Sequence, residues 1–169
     1  MSILTNQFRM GPTVGAICLT TNPNPATMTV RYNPDATETL EVGEVVKLVD
    51  LGATDPNGVP IVEKRESNSD RVFGVRLYGT KEGETQPGDV CEVIILTGVV
   101  WMKAEEAVER GASVEPLLAA GYVQNFGVAR ILGVALDKAR AKDDLIRVYI
   151  FPDFIGFSGE NGINGEVLD

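Results

Sequence analysis

Apolar residues in this chain recur at every second position in short runs, and the runs come in matched pairs. Phe73, Val75 and Leu77 alternate with polar or small residues, and Leu132, Val134 and Leu136 repeat the stripe. A period of two is the signature of a strand with one covered face. Residues 90–96 are almost continuously apolar, as expected of a strand covered on both faces, and residues 145–151 are their counterpart. Each half reads apolar-Gly-Val-x-Leu, a polar turn, then Asp-apolar-apolar-x-Val-x-Ile. A looser match sets Gly43-Glu44-Val45-Val46 against Gly111-Ala112-Ser113-Val114. The pattern predicts a duplicated β unit joined through a strand at 99–104, which carries Trp101, the only tryptophan.

Further strands are expected at 45–51 and 59–64, separated by Asp55-Pro56-Asn57-Gly58, where Pro stands early and Gly is free to take a positive φ. Residues 104–110 read as one short helix, with Glu105 and Glu106 in its first turn, Arg110 in its last and Gly111 just beyond. Residues 116–120 suggest one more helical turn. Gly74 and Gly133, at matched places, mark a close backbone approach and suggest strands crossing at a pseudo-twofold axis.

Residues 1–40 differ in character. Pro12, Pro23, Pro25 and Pro34 block helix growth and favour extended chain. Strands are possible at 14–19 and 26–32, the latter with Met28, Val30 and Tyr32 on one face. The apolar residues Ile3, Leu4, Phe8, Met10, Ile17 and Leu19 argue against a flexible leader. The region therefore reads as an extended arm, followed by a barrel-like domain over 41–152 and a Gly-rich tail over 153–169. The tail carries Phe154, Ile155 and Phe157 among its glycines, a composition that a neighbour would order. The fold class expected is all-β: a small barrel or two packed antiparallel sheets from a duplicated unit, with one short helix.

Composition narrows the function classes. A chain of 169 residues buries roughly 70% of its unfolded surface and needs neither metal nor disulfide to hold a core. The net charge of −9 repels phosphate backbones and anionic membranes, so neither nucleic acid nor membrane is an expected partner. Two distant cysteines, Cys18 and Cys91, make no disulfide framework and no zinc spacing, and suit a cytosolic site of folding. The start of the chain shows no signal-peptide pattern, and no apolar run is long enough to span a bilayer.

The chain has no histidine, which removes the commonest general base and metal ligand together. No phosphate-binding glycine loop appears. A carboxylate pair drawn from Asp50, Asp55, Glu63, Glu66 and Asp70 would suit a glycosidase, but 24 acidic residues make such clusters common, and a solvated surface is the plainer reading. Calcium at 50–57 or at Asp143-Asp144 fits neither the spacing nor the closing Glu of the twelve-residue calcium loop. No catalytic, cofactor or metal residues are expected. Trp101, on a strand with Val99, reads as core or subunit anchor rather than a stacking platform.

In order and spacing, six segments resemble the structural cement proteins, which decorate the capsids of tailed bacteriophages. They are Gly43-Glu44-Val45-Val46-Lys47-Leu48, Val72-Phe73-Gly74-Val75 and Thr97-Gly98-Val99-Val100-Trp101-Met102-Lys103-Ala104, then Gly111-Ala112-Ser113-Val114, Ile131-Leu132-Gly133-Val134-Ala135-Leu136 and Leu145-Ile146-Arg147-Val148. The resemblance covers roughly 41–151. It implies a virion protein, made in the host cytoplasm, that sits on the outer capsid surface, bridges major capsid protein subunits and carries no catalytic residues. It further implies a homo-oligomer, a trimer first and a dimer second.

An extended arm offers a physical route, by adding a strand to a neighbour's open sheet edge. Phe8, Met10, Val14, Ile17, Met28, Val30 and Tyr32 are the candidate partner contacts, and Trp101, Phe154 and Phe157 the candidate oligomer or core anchors. On this reading, removal of residues 1–40 leaves a folded barrel. The competing readings are another virion part, such as a tail or spike-base protein, and an acidic glycan-binding or hydrolase domain.

Overall fold

The computed structural model describes residues 13–18, 25–50, 53–78, 84–95, 97–127 and 130–151. Ten strands form and, among the described residues, no α-helix. They are β1 (Thr27–Tyr32), β2 (Val45–Leu48), β3 (Ile61–Lys64), β4 (Gly74–Arg76), β5 (Val90–Ile94), β6 (Gly98–Ala104), β7 (Ser113–Pro116), β8 (Tyr122–Asn125), β9 (Gly133–Ala135) and β10 (Leu145–Ile150). The first five close into a barrel in the order β1-β3-β2-β4-β5. The last five close into a second, in the order β10-β6-β8-β7-β9.

The two barrels have the same pairing, residue for residue. Arg31 and Tyr32 run parallel to Ile61 and Val62, as Lys103 and Ala104 do to Tyr122 and Val123. Val46 faces Gly74 as Val114 faces Gly133, and Val75 faces Ile94 as Val134 faces Tyr149. The expected duplication is thus present, and each copy is a closed barrel of its own. The strand bearing Trp101 does not join two halves of one barrel. It opens the second barrel, in the place that β1 holds in the first.

That equivalence corrects the reading of the start of the chain. Thr27–Tyr32 is no arm: it pairs with both β3 and β5, and the first barrel cannot close without it. Removal of residues 1–40 would open the barrel rather than spare it. Val30 and Tyr32 are 0% and 1% exposed, packed inside with Leu40, Val46, Val62, Phe73, Val93 and Ile95. They are interior residues and offer nothing to a partner.

The expected helix at 104–110 is also absent, and so is the helical turn at 116–120. Val108 and Ala139 exchange two backbone hydrogen bonds, of 3.1 and 2.9 Å, and Val108 is 1% exposed. Leu40 and Thr85 make the same exchange in the first barrel, at 2.9 and 2.8 Å. The segment repeats a loop of the first copy, and this long-range pairing overrides a local helix preference worth tenths of a kcal/mol per residue, roughly. Glu105 and Glu109 instead pair across the loop with Lys142 and Lys138, at 2.6 and 2.7 Å. Gly111 does take the positive φ expected of it, +87°, in a turn.

The Asp55 turn forms as expected. Asp55 Oδ1 accepts from the amides of Asn57 and Val59 at 2.8 and 2.9 Å, and Gly58 has φ +78°. Gly74 and Gly133 do mark close approaches, but each inside its own barrel rather than at a shared axis. A Cβ on Gly74 would strike the Ile94 carbonyl oxygen, and one on Gly133 the Tyr149 carbonyl oxygen. Gly133→Ala and Gly74→Ala are each expected to lower stability on the order of 3 kcal/mol, because the obstacle is backbone. Urea unfolding followed by circular dichroism measures this, and an unmoved midpoint would contradict the close approach.

Candidate interaction surfaces

The described segment 13–18 lies as a strap between the barrels. Three of its backbone bonds reach β6: Gly15 N–H donates to the Trp101 carbonyl at 2.8 Å, Trp101 N–H to Ala16 at 3.0 Å, and Cys18 N–H to Val99 at 2.7 Å. One reaches the first barrel, where Tyr78 N–H donates to the Gly15 carbonyl at 3.0 Å. Gly121 N–H also donates directly to the Gly43 carbonyl, at 3.1 Å. Val14 sits against both of those glycines. A Cβ on either would strike its Cγ1, and both glycines hold positive φ, +81° and +77°.

Strand alternation gives each barrel an inner and an outer face. On β2, β4 and β5 of the first barrel the outer row is Val45, Val75 and Ile94. These are 5%, 0% and 0% exposed because they pack against the second barrel, in one cluster with its core. The matching outer row of the second barrel is Ser113, Val134 and Tyr149, and it is open: Ser113 and Val134 are half-buried, Tyr149 is 36% exposed. Phe151 extends the row at 42% exposure, its ring 6.0 Å from that of Tyr149, whose hydroxyl is 2.8 Å from Thr97 Oγ1. Phe126 adds a further exposed ring.

Sequence reasoning passed over Tyr149 and Phe151. Alternation sets both on the odd face of residues 145–151, and only the pairing of β10 shows that this face is the outer one. Of the residues it did single out, Val14 and Ile17 are half-buried in the strap, and Ile17 packs against the shared core. Met28 is half-buried against the interior of the first barrel. Trp101 is half-buried on the outer face of β6, under the strap and opposite Arg147. Phe8, Met10, Phe154 and Phe157 lie outside the described residues.

Three of the five acids that would suit a catalytic pair, Asp55, Glu63 and Asp70, have structural partners. Asp55 Oδ2 accepts from Arg31 Nε at 2.7 Å, and Lys47 lies 3.4 and 3.3 Å from Glu63 and Asp70. Asp70 also accepts from the amides of Glu66 and Ser67, at 2.9 and 3.0 Å. Asp143 accepts from the Tyr122 hydroxyl, and Asp144 from the amides of Arg140 and Ala141. Among the described residues no group of three or more His, Cys, Asp or Glu could hold a metal ion. Neither cysteine is in a disulfide; Cys18 is buried and Cys91 half-buried.

No protein-family model matches the chain, and no curated protein matches it. Among solved structures it is similar to the N base of the head fiber of bacteriophage phi29. The TM-score is 0.48 at 12% sequence identity, over 75% of this chain and 94% of that one.

Two of the acids make stability depend on pH. The amide of Val59, then the guanidinium of Arg31, hold the Asp55 carboxyl below its ordinary range, and the Arg147 guanidinium does the same for Asp137. A depressed carboxyl stabilises the fold above its unfolded pKa, about 4, and loses that contribution as pH falls through the folded value. Burial pushes Glu44 the other way, so its contribution to this limb has the opposite sign. Thermal stability is expected to drop below about pH 4, and Asp137→Asn to make that drop shallower. A melting-temperature profile from pH 7 to 2.5 that is identical in the variant would contradict the Arg147–Asp137 linkage.

Proposed function

We propose that this chain is a capsid decoration protein of a tailed bacteriophage, a passive virion component that binds the outer shell and bridges major capsid protein subunits. The observation that carries the reading is where the six resembling segments fall. They lie on β2, β4 and β6, then β7, β9 and β10, with the turns that lead into them. The resemblance therefore follows the strand framework of both barrels, not one loop or one motif. The physical character agrees. Closed barrels are stiff bodies without long open edges, and Asp55, Glu63 and Asp70 are held by Arg31 and Lys47.

The structure changes which residues are offered for the grip. Val30 and Tyr32 belong to the interior and Val14 and Ile17 to the strap. Phe8 and Met10, within residues 1–12, remain the candidates for it. Many copies on one shell would multiply weak contacts through avidity.

The full chain is expected to co-sediment saturably with empty expanded capsids of its phage. A chain lacking residues 1–12 keeps every strap bond named above and should fold, and should bind at least tenfold more weakly, a difference of about 1.4 kcal/mol per contact site. Absence of any saturable co-sedimentation by the full chain would sink the reading. Undiminished binding by the shortened chain would remove those residues from it.

A further inference from the structure

The junction between the two barrels has two sides, and the duplication leaves a counterpart of each side open. One side is the covered row Val45, Val75 and Ile94. Its register equivalent, Ser113, Val134 and Tyr149, is uncovered on the second barrel.

The other side is the start of β6. Gly98 lies under the Ile94 side chain, which a Cβ there would strike, and the neighbouring edge at Val99–Trp101 holds the strap. In the first barrel Ala26 stands where Gly98 stands, since Ile95 N–H donates to Ala26 O while Ile150 faces Gly98. Thr27–Thr29 then stand where Val99–Trp101 stand.

Backbone groups alternate along a strand paired on one side. Tyr32 N–H donates toward β5, to Asp89, and Arg31 N–H donates the other way, to Pro60. Thr29 N–H and the Thr27 carbonyl therefore point away from β5, as Trp101 N–H and the Val99 carbonyl do where they meet the strap. Among the described residues nothing meets them, and Thr27 and Thr29 are exposed. Each end of the molecule thus keeps one half of a junction that is complete inside it.

We propose that a second copy of this chain docks head to tail and repeats the internal junction. Val134 and Tyr149 of one copy's second barrel seat on the start of β1 in the next copy's first barrel, beside the unpaired Thr27–Thr29 edge. The occupant is another copy because the internal junction already joins these two surface types in this chain. The contact is heterologous, so it closes into a ring if the rotation allows and otherwise extends. It does not depend on binding to capsids.

Sedimentation velocity of the full chain, without capsids, tests this. Two variants each block one end. Val134→Glu with Tyr149→Glu charges the open row. Thr27→Glu with Thr29→Glu charges the exposed start of β1 where the row would seat. Wild type is expected to form species larger than a monomer. Each variant alone should associate at least tenfold more weakly. An equimolar mixture should form dimers and nothing larger, because both outward ends of such a dimer are blocked.

A wild type that stays monomeric at all concentrations overturns the proposal. So does a variant that associates like wild type, or a mixture that forms no dimers. Circular dichroism melting checks that each variant is folded. If one is not, a benzophenone side chain placed at Tyr149 in an isotope-labelled full chain decides. Cross-links to residues 25–31 of unlabelled copies support the proposal. Cross-links confined to the labelled chain's own residues, such as its tail, overturn it.

Discussion

In each barrel two strands pass too near for a side chain, and each half of this molecule meets that constraint with one glycine. Gly74 lets the Ile94 carbonyl occupy the space a Cβ would fill, and Gly133 does the same for Tyr149. Register follows from that approach. With Gly74 under β5, Val75 must face Ile94 and Arg76 must face Val93. A slip of one residue would turn Val93 and Ile95 out of the interior and Ile94 into it. The same contact in the second barrel places Val148 and Ile150 inside and Tyr149 outside. Which side chains are core and which face a neighbour is therefore decided at two glycine positions.

Much of this was legible in the sequence, and what was not has physical causes. The stripes around Gly74 and Gly133, and the strands after them, gave the duplication in its correct register, because interior positions kept both their spacing and their apolar character. Strands were expected at 26–32 and at 99–104, but their equivalence escaped notice. Thr-Met-Thr-Val-Arg-Tyr and Val-Val-Trp-Met-Lys-Ala share alternation but hardly an identity. The interior position filled by Tyr32 in one barrel is held by Ala104 in the other, a trade of volume that hides kinship while both stay buried. The prolines around β1 suggested an arm, yet proline excludes helix and not the start of a strand. The expected helix failed for the opposite reason: its end signals were sound locally, and the Val108–Ala139 pairing outweighed them. No stretch of sequence announced Tyr149 and Phe151 as surface. That conclusion needs to know which face of β10 the barrel keeps.

The duplication also explains why the two copies are not interchangeable. Burial of Val45, Val75 and Ile94 removes three large apolar side chains from water, each worth about 1.5–3 kcal/mol. That is enough to hold two barrels as one body. The second copy has Ser113 for Val45 and Tyr149 for Ile94, side chains that tolerate water better. The strap adds a second asymmetry. Three of its bonds go to β6 and one to Tyr78 of the first barrel, and Val14 is seated by Gly43 of one barrel and Gly121 of the other. A hydrophobic face alone leaves its partner free to rotate, whereas a strap bonded to both barrels does not.

Polar contacts across the seam complete that restriction. Arg65 is 6% exposed, and it reaches the Pro116 carbonyl of the second barrel at 3.3 Å through Nη1 and the Asn68 carbonyl at 2.9 Å through Nη2. Arg130 Nε donates to the Ser69 carbonyl at 3.2 Å, crossing in the opposite direction. Burial lowers the Arg65 pKa, so the charge is held at a cost. Carbonyl acceptors return only part of the lost hydration. Such contacts contribute little net stability, but they are directional. The apolar row supplies the energy of association between the barrels, and the guanidinium bonds with the strap fix its angle. Both parts of that division are needed for one shape, since stability without a fixed angle would let the two barrels roll against each other.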